Sequence, residues 1–262
     1  SVLKLRIITT LFALAGIALV LWFVPTSYIE IIVGLLLLVG AWEWAGFLGA
    51  EGPAIRIAYT LLAGIAMGIA YLFIPAQAEL ILQIACAWWF IALLWTFWYP
   101  TRMPAPVRWI CGLLVIVPLY VALVILLRLG IEYLLFVLFI VWCADGGAYF
   151  AGKRFGRVKL APAISPGMTL EGVVGGLLLV SVLAGSVATW RDMSVAVLLP
   201  FCLAVAAISV VGDLTVSMFK RTAGLKDSGS LFPGHGGVLD RTDSIAAAGP
   251  MFALGLSWLD LL

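Results

Sequence analysis

Apolar runs of membrane-spanning length recur along the whole chain, separated by short polar or Gly- and Pro-rich breaks. About nine such runs can be drawn, near 5–24, 28–48, 56–74, 78–99, 107–127, 131–150, 172–190, 195–217 and 243–262. A helix over each is long enough to cross a hydrocarbon core about 30 Å thick. The breaks carry turn-forming residues, as in VPTS at 24–27, GAEGP at 49–53, IPAQ at 74–77, YPTRMPAP at 99–106 and RLG at 128–130. Trp and Tyr stand at several run ends, where an aromatic belt meets the membrane–water boundary. The alternating pattern of a transmembrane barrel is missing. The pattern predicts an all-α fold, a polytopic integral membrane helical bundle of about nine transmembrane helices. One membrane domain is expected over 1–262, with the spans up to about 130 as scaffold and about 131–262, which holds the long polar loops, carrying the candidate site.

Composition agrees with this reading. The chain is 65% hydrophobic and 11% charged, and its mean hydropathy is +1.20, against about 25% charged residues in a soluble domain. Cys86, Cys111, Cys143 and Cys202 lie apart inside apolar runs, and are expected to be small buried hydrophobes without disulfides. The first run follows Lys4 and Arg6 and continues past Ala13 and Ala15 with no convincing cleavage site. It is expected to be a retained helix rather than a signal peptide. If the amino terminus is cytoplasmic, this layout sends every basic residue except Arg128 and Arg191 to the cytoplasmic side, as the positive-inside rule requires.

Two polar loops, 151–171 and 218–242, are separated by two spans and so share a face. Acidic residues near that face come from three helices: Asp145 in the sixth run, Asp213 in the eighth, Asp240 and Asp243 at the start of the ninth. Carboxylates at membrane depth are costly unless paired or serving a site, and a set of oxygen donors suits Mg²⁺. Asp240 and Asp243 can equally cap the ninth helix, and Asp145 and Asp213 can be paired with a basic residue. On a continuous helix Asp213, Ser217, Lys220 and Arg221 share one face. Metal, Lys/Arg and the Gly-containing loop GHGG at 234–237 together suit a polyphosphate. Lys153, Arg154, Arg157 and Lys159 fit either the site or anionic headgroups. His235 reads as a loop residue whose flanking glycines favour a ligand-facing position, and Glu43 as a packing or ion-pair residue. No Walker A loop, G-x-S-x-G elbow, Rossmann fingerprint or Cys/His metal pattern occurs.

The stretch SMFKRTAGLKDSGSLFPGHGGVLDRTDS at 217–244 resembles the signature of the phosphatidate cytidylyltransferases, also called CDP-diacylglycerol synthases. Its fixed positions are met by Ser217, Lys220, Arg221, Lys226, Asp227, His235, Gly236, Gly237, Asp240, Arg241 and Asp243. GDL at 212–214, ADGGAYFAGKRFG at 144–156, ISPGMTLEG at 164–172 and AWEWAGF at 41–47 extend the likeness. One position departs from it: Met168 stands where the family pattern has lysine.

The resemblance implies transfer of a cytidylyl group from CTP to phosphatidic acid, giving CDP-diacylglycerol and pyrophosphate. It implies catalytic roles for Asp213, Lys220, Arg221, Lys226, Asp240 and Asp243, with Asp213, Asp240 and Asp243 as Mg²⁺ ligands. Asp145, Lys159, Ser165, Thr169, Glu171, Ser217, Asp227, His235, Gly236, Gly237 and Arg241 are the expected substrate-binding residues. A second metal ion such as K⁺ and a homodimer are further expectations, as is a bacterial inner (cytoplasmic) membrane with the site facing the cytoplasm. No nucleic-acid partner is expected. Two alternatives stand beside this reading: a cytidylyltransferase for another lipid phosphate, and a transporter. Clustering of charge at one end rather than mid-membrane weighs against the transporter.

Overall fold

The computed structural model describes residues 23–49, 52–229, 231 and 236–259. The first expected span, 5–24, and His235 thus lie wholly or almost wholly outside the described residues. The architecture is a helical bundle: α1 (Thr26–Trp44), α2 (Pro53–Phe97), α3 (Ala105–Leu129), α4 (Ile131–Phe155), α5 (Leu170–Trp190), α6 (Val195–Thr222) and α7 (Leu239–Trp258). Six of these, α1 to α6, are long and apolar enough to cross a membrane. Many of their large apolar side chains, among them Leu72, Phe97, Val182 and Trp190, face outward, as a lipid-facing surface requires. α7 falls short on apolarity because its first turns are polar and small residues dominate its middle. Its neighbours cover it instead, and Ser244 through Pro250 are buried.

The expected spans 56–74 and 78–99 appear as one helical run of 45 residues. Straight, it would measure about 67 Å, more than twice the hydrocarbon core. Its contacts show that it folds back. Near its start the Tyr59 hydroxyl donates to the Trp109 carbonyl at 3.1 Å, and Trp44 Nε1 donates to the neighbouring Arg108 carbonyl at 2.9 Å. Near its end Trp95 packs edge-on against Phe219, which also touches Trp44. Tyr59 and Trp95 would be about 54 Å apart on a straight helix, yet both reach the surroundings of Trp44. The middle of the run lies at the far end of the bundle. There Tyr71 donates to Glu30 at 2.9 Å and Trp258 Nε1 donates to Glu79 at 2.9 Å. Pro75, which has no N–H to give a helix, sits at the bend.

That far end is tied by Arg128, whose guanidinium donates to both Glu30 oxygens at 2.7 and 3.0 Å. Arg108, near the other end of α3, donates to the Phe47 carbonyl at 2.8 Å. The two arginines therefore mark opposite ends of the bundle. α4 and α5 pack backbone to backbone through small residues. A Cβ on Gly147 would lie 2.8 Å from the Gly175 carbonyl, and one on Gly175 would collide with the Ala151 methyl.

The expected all-helical fold needs one correction. The loop after α4 holds a two-stranded antiparallel hairpin, β1 (Lys159–Ala161) and β2 (Ser165–Thr169), with Lys159 opposite Thr169 and Ala161 opposite Ser165. α4 also runs to Phe155 rather than ending near 150. The four cysteines are free, as expected; Cys111 and Cys202 are buried, whereas Cys86 and Cys143 are half-buried rather than buried as expected.

Candidate active site

The site is assembled where the middle of α4 and the later part of α6 meet the start of α7, toward one end of the bundle. α6 and α7 approach most closely at Gly212, where a Cβ would collide with the Asp243 carbonyl and sit 3.0 Å from the Ala247 methyl. That close approach sets Asp213, the next residue of α6, beside Asp243 of α7, and the two carboxylates interact electrostatically. Asp145 of α4 joins them: it accepts a hydrogen bond from Ser244 and lies within electrostatic reach of Asp213 and Asp243. One turn after Asp213, the Ser217 hydroxyl donates to its Oδ1 at 3.1 Å. The i, i+4 spacing on α6 produces this pair.

Lys220, one turn further along α6, is buried. Its ammonium donates to Asp240 Oδ1 at 2.8 Å and also interacts with Asp213 and Asp243. Lys220 is the buried basic residue among those described, and three carboxylates, Asp213, Asp240 and Asp243, act on it. Asp240 is held on all sides. Its Oδ2 accepts from the Ser228 N–H at 2.8 Å, the Ser228 hydroxyl at 2.9 Å and the Gly237 N–H at 2.9 Å. Gly236 adopts φ +81°, and a Cβ there would be 2.6 Å from Asp240 Oδ2. Glycine is needed on both counts. Asp243 Oδ1 accepts from the Ser244 N–H at 2.9 Å.

Other expected residues serve different contacts. Arg221 Nε donates to the Ile164 carbonyl at 3.2 Å, so it ties the β-hairpin to α6. Thr169 is buried and caps α5, its Oγ1 accepting from Gly172 N–H at 3.1 Å. Glu171 accepts the Val158 N–H on both oxygens at 3.2 Å. Ser165 is half-buried and Lys159 exposed on the hairpin. Met168 is half-buried and packs against the hydrophobic core, a place that suits the thioether better than an ammonium. Lys226, Asp227 and Arg241 are exposed. Among the described residues no three His, Cys, Asp or Glu side chains are gathered tightly enough to hold a metal ion alone.

Glu43 exceeds its sequence reading. This buried carboxylate at the end of α1 accepts the Val238 and Leu239 N–H groups, each at 2.9 Å, and the Ser228 hydroxyl at 2.9 Å. It caps the amino terminus of α7 from another helix, at the end where the dipole favours negative charge. Ser228, unremarked in the sequence, bridges Glu43 and Asp240.

Fold and site together define a polytopic helical membrane protein with an acidic site, threaded by one buried lysine, at one end of its bundle. The sequence model of the cytidylyltransferase family matches residues 4–259. A phosphatidate cytidylyltransferase of Pseudomonas aeruginosa is 42% identical over 266 aligned residues, covering 98% of this chain and 97% of the relative. One of Haemophilus influenzae is 36% identical, covering 96% of this chain and 97% of the relative. One of Staphylococcus aureus is 44% identical over 129 residues, 48% of each chain. The chain belongs to the cytidylyltransferase family and is a nucleotidyltransferase.

Proposed function

We propose that this protein transfers the cytidylyl group of CTP to phosphatidic acid, releasing pyrophosphate and forming CDP-diacylglycerol. The observation that carries the reading is the convergence of Asp213, Asp240 and Asp243 on buried Lys220, with Asp145 beside Asp213 and Asp243. Full-length similarity to relatives of that name supports the choice of substrates.

A phosphate oxygen of phosphatidate forms a bond to the α-phosphorus of CTP. The bond from that phosphorus to the α–β bridging oxygen breaks, and pyrophosphate leaves with the electron pair. The attacking phosphate is ionised near neutrality, so no general base is required. Catalysis is then a matter of position and charge. Lys220 offsets charge at the inner end of the site, held in place by Asp240. Arg221, Lys226 and Arg241 stand at the outer rim to meet the triphosphate, while Gly236 and Gly237 make room for the Asp240 and Glu43 carboxylates.

The donor set fits Mg²⁺: carboxylates of like charge meet in a partly buried place, which is unfavourable without a cation. Mg²⁺ takes one or two carboxylates and completes its shell with water and substrate phosphates. A protein-only cage of three ligands is therefore not needed. Asp213 and Asp243, whose oxygens are less engaged than those of Asp240, would hold it, with Asp240 beside them as the further expected ligand. Bound there, the ion would neutralise triphosphate charge and polarise the α-phosphate. A second ion such as K⁺ has the same carboxylate cluster available to it.

The reading also includes nine spans, counting 5–24 and the two arms of α2, a cytoplasmic site in a bacterial inner membrane, and a homodimer. The basic residues near the site end, Arg56, Arg108, Lys153 and Arg154, support that orientation. The test is direct. Protein in nanodiscs, mixed with CTP, phosphatidate and Mg²⁺, is expected to release pyrophosphate and yield CDP-diacylglycerol in equal amounts. Excess chelator should abolish both and Mg²⁺ should restore them. Transfer to a polyprenyl phosphate but not to phosphatidate would replace the acceptor in this reading.

A further inference from the structure

The described ends of the segment from Ser228 to Leu239 must hold their places for Asp240 and Asp243 to meet Asp213. Besides Asp240, those ends are held from α1, about 190 residues earlier in the chain, through one carboxylate. We propose that Glu43 is a positioning residue for the active site: it fixes the start of α7 and the Ser228 loop, and so sets Asp240 for work on the nucleotide.

Three observations converge on it. Both Glu43 oxygens are used, Oε1 by Val238 N–H and Oε2 by Leu239 N–H and the Ser228 hydroxyl, each at 2.9 Å. Both neighbouring glycines leave room for it: a Cβ on Gly229 would lie 2.5 Å from Oε1, and one on Gly237 would collide with the carboxylate. The Ser228 hydroxyl sits 2.9 Å from both Glu43 Oε2 and Asp240 Oδ2. It has one proton and serves one acceptor at a time. When Asp240 engages a ligand, Glu43 is the second acceptor that keeps this hydroxyl bonded and the loop in place. Buried donors left without an acceptor are costly, so the carboxylate cannot be exchanged freely. The change Glu43→Gln would turn an NH₂ toward one of the three donors.

This inference rests on the proposed reaction for its kinetic arm only. In nanodiscs, Glu43→Gln, Glu43→Asp and Ser228→Ala are compared with wild type by amide exchange and by kinetics. Glu43→Gln is expected to speed exchange across 228–239 at least ten-fold, with α3 and α5 unchanged. It should lower kcat/KM for CTP at least ten-fold, mostly through KM, and leave KM for phosphatidate within two-fold. Glu43→Asp, which keeps the charge on a shorter stem, should fall between Glu43→Gln and wild type. Ser228→Ala should raise KM for CTP about three-fold or more while leaving the Leu239 amide protected. Exchange and kcat/KM within two-fold of wild type in Glu43→Gln would overturn the proposal. So would a uniform rise in exchange over all helices, which marks a general packing role. If wild type fails to form CDP-diacylglycerol, the reaction reading falls, and the exchange arm still decides the role of Glu43.

Discussion

Lys220 and Asp240 form an ion pair in the site, buried on both sides. Breaking one partner of such a pair leaves a lone charge, at a cost of about 3–5 kcal/mol. Lys220→Met is therefore expected to lower both the melting temperature and the turnover, by about 100-fold or more. Asp213→Asn is expected to differ. It relieves like-charge repulsion with Asp145 and Asp243, so the melting temperature should hold or rise while turnover falls about 100-fold or more. Parallel melting and pyrophosphate-release measurements on the two variants separate these outcomes. At this scale the sequence was most readable where the residues lie close in the chain. Asp213 to Ser217 follows from helical spacing, and the run from 217 to 244 carries Lys220, Asp240 and Asp243 together. Glu43 was not readable as a cap, since its partners stand nearly 200 positions away and backbone N–H groups leave no trace in sequence. Thr169, expected to bind substrate, also has a local role that helix-start spacing makes readable, its Oγ1 accepting from the Gly172 N–H.

Helix pairing depends on a few small residues. Gly212 allows α6 and α7 to touch at Asp243, and added bulk there has no flexible neighbour to move. Gly212→Ala is expected to cost about 1–3 kcal/mol and to lower turnover at least ten-fold by separating Asp213 from Asp243. A melting curve with a turnover assay checks it. Gly68, whose Cβ direction is open, serves as the control, and Gly68→Ala should leave both unchanged. Hydropathy located nearly every described span, because lipid exposure writes itself into composition. It could not reveal that 53–97 is one folded run, since a bend at Pro75 and a loop at Pro75 read alike. Nor did it reveal the β-hairpin, whose strands are only three and five residues long.

The whole molecule has two distinct ends, one held by Arg128 and Glu30, the other carrying the site. This polarity predicts sidedness. In a cysteine-free background, single cysteines at Arg56, Arg102 and Lys153 should react with an impermeant maleimide from the same side of the membrane. Cysteines at Gln77 and Arg191 should react from the other. Labelling of Arg56→Cys and Arg102→Cys from opposite sides would mean that α2 does not fold back in the membrane.

The account depends on carboxylates from α4, α6 and α7 gathering to act on CTP. The most direct test is equilibrium binding of CTP, with and without Mg²⁺, to wild type and to the Asp213→Asn/Asp243→Asn double variant in nanodiscs. Mg²⁺ should tighten CTP binding to wild type at least ten-fold and change binding to the double variant less than two-fold. Equal Mg²⁺ enhancement in both proteins would contradict the account.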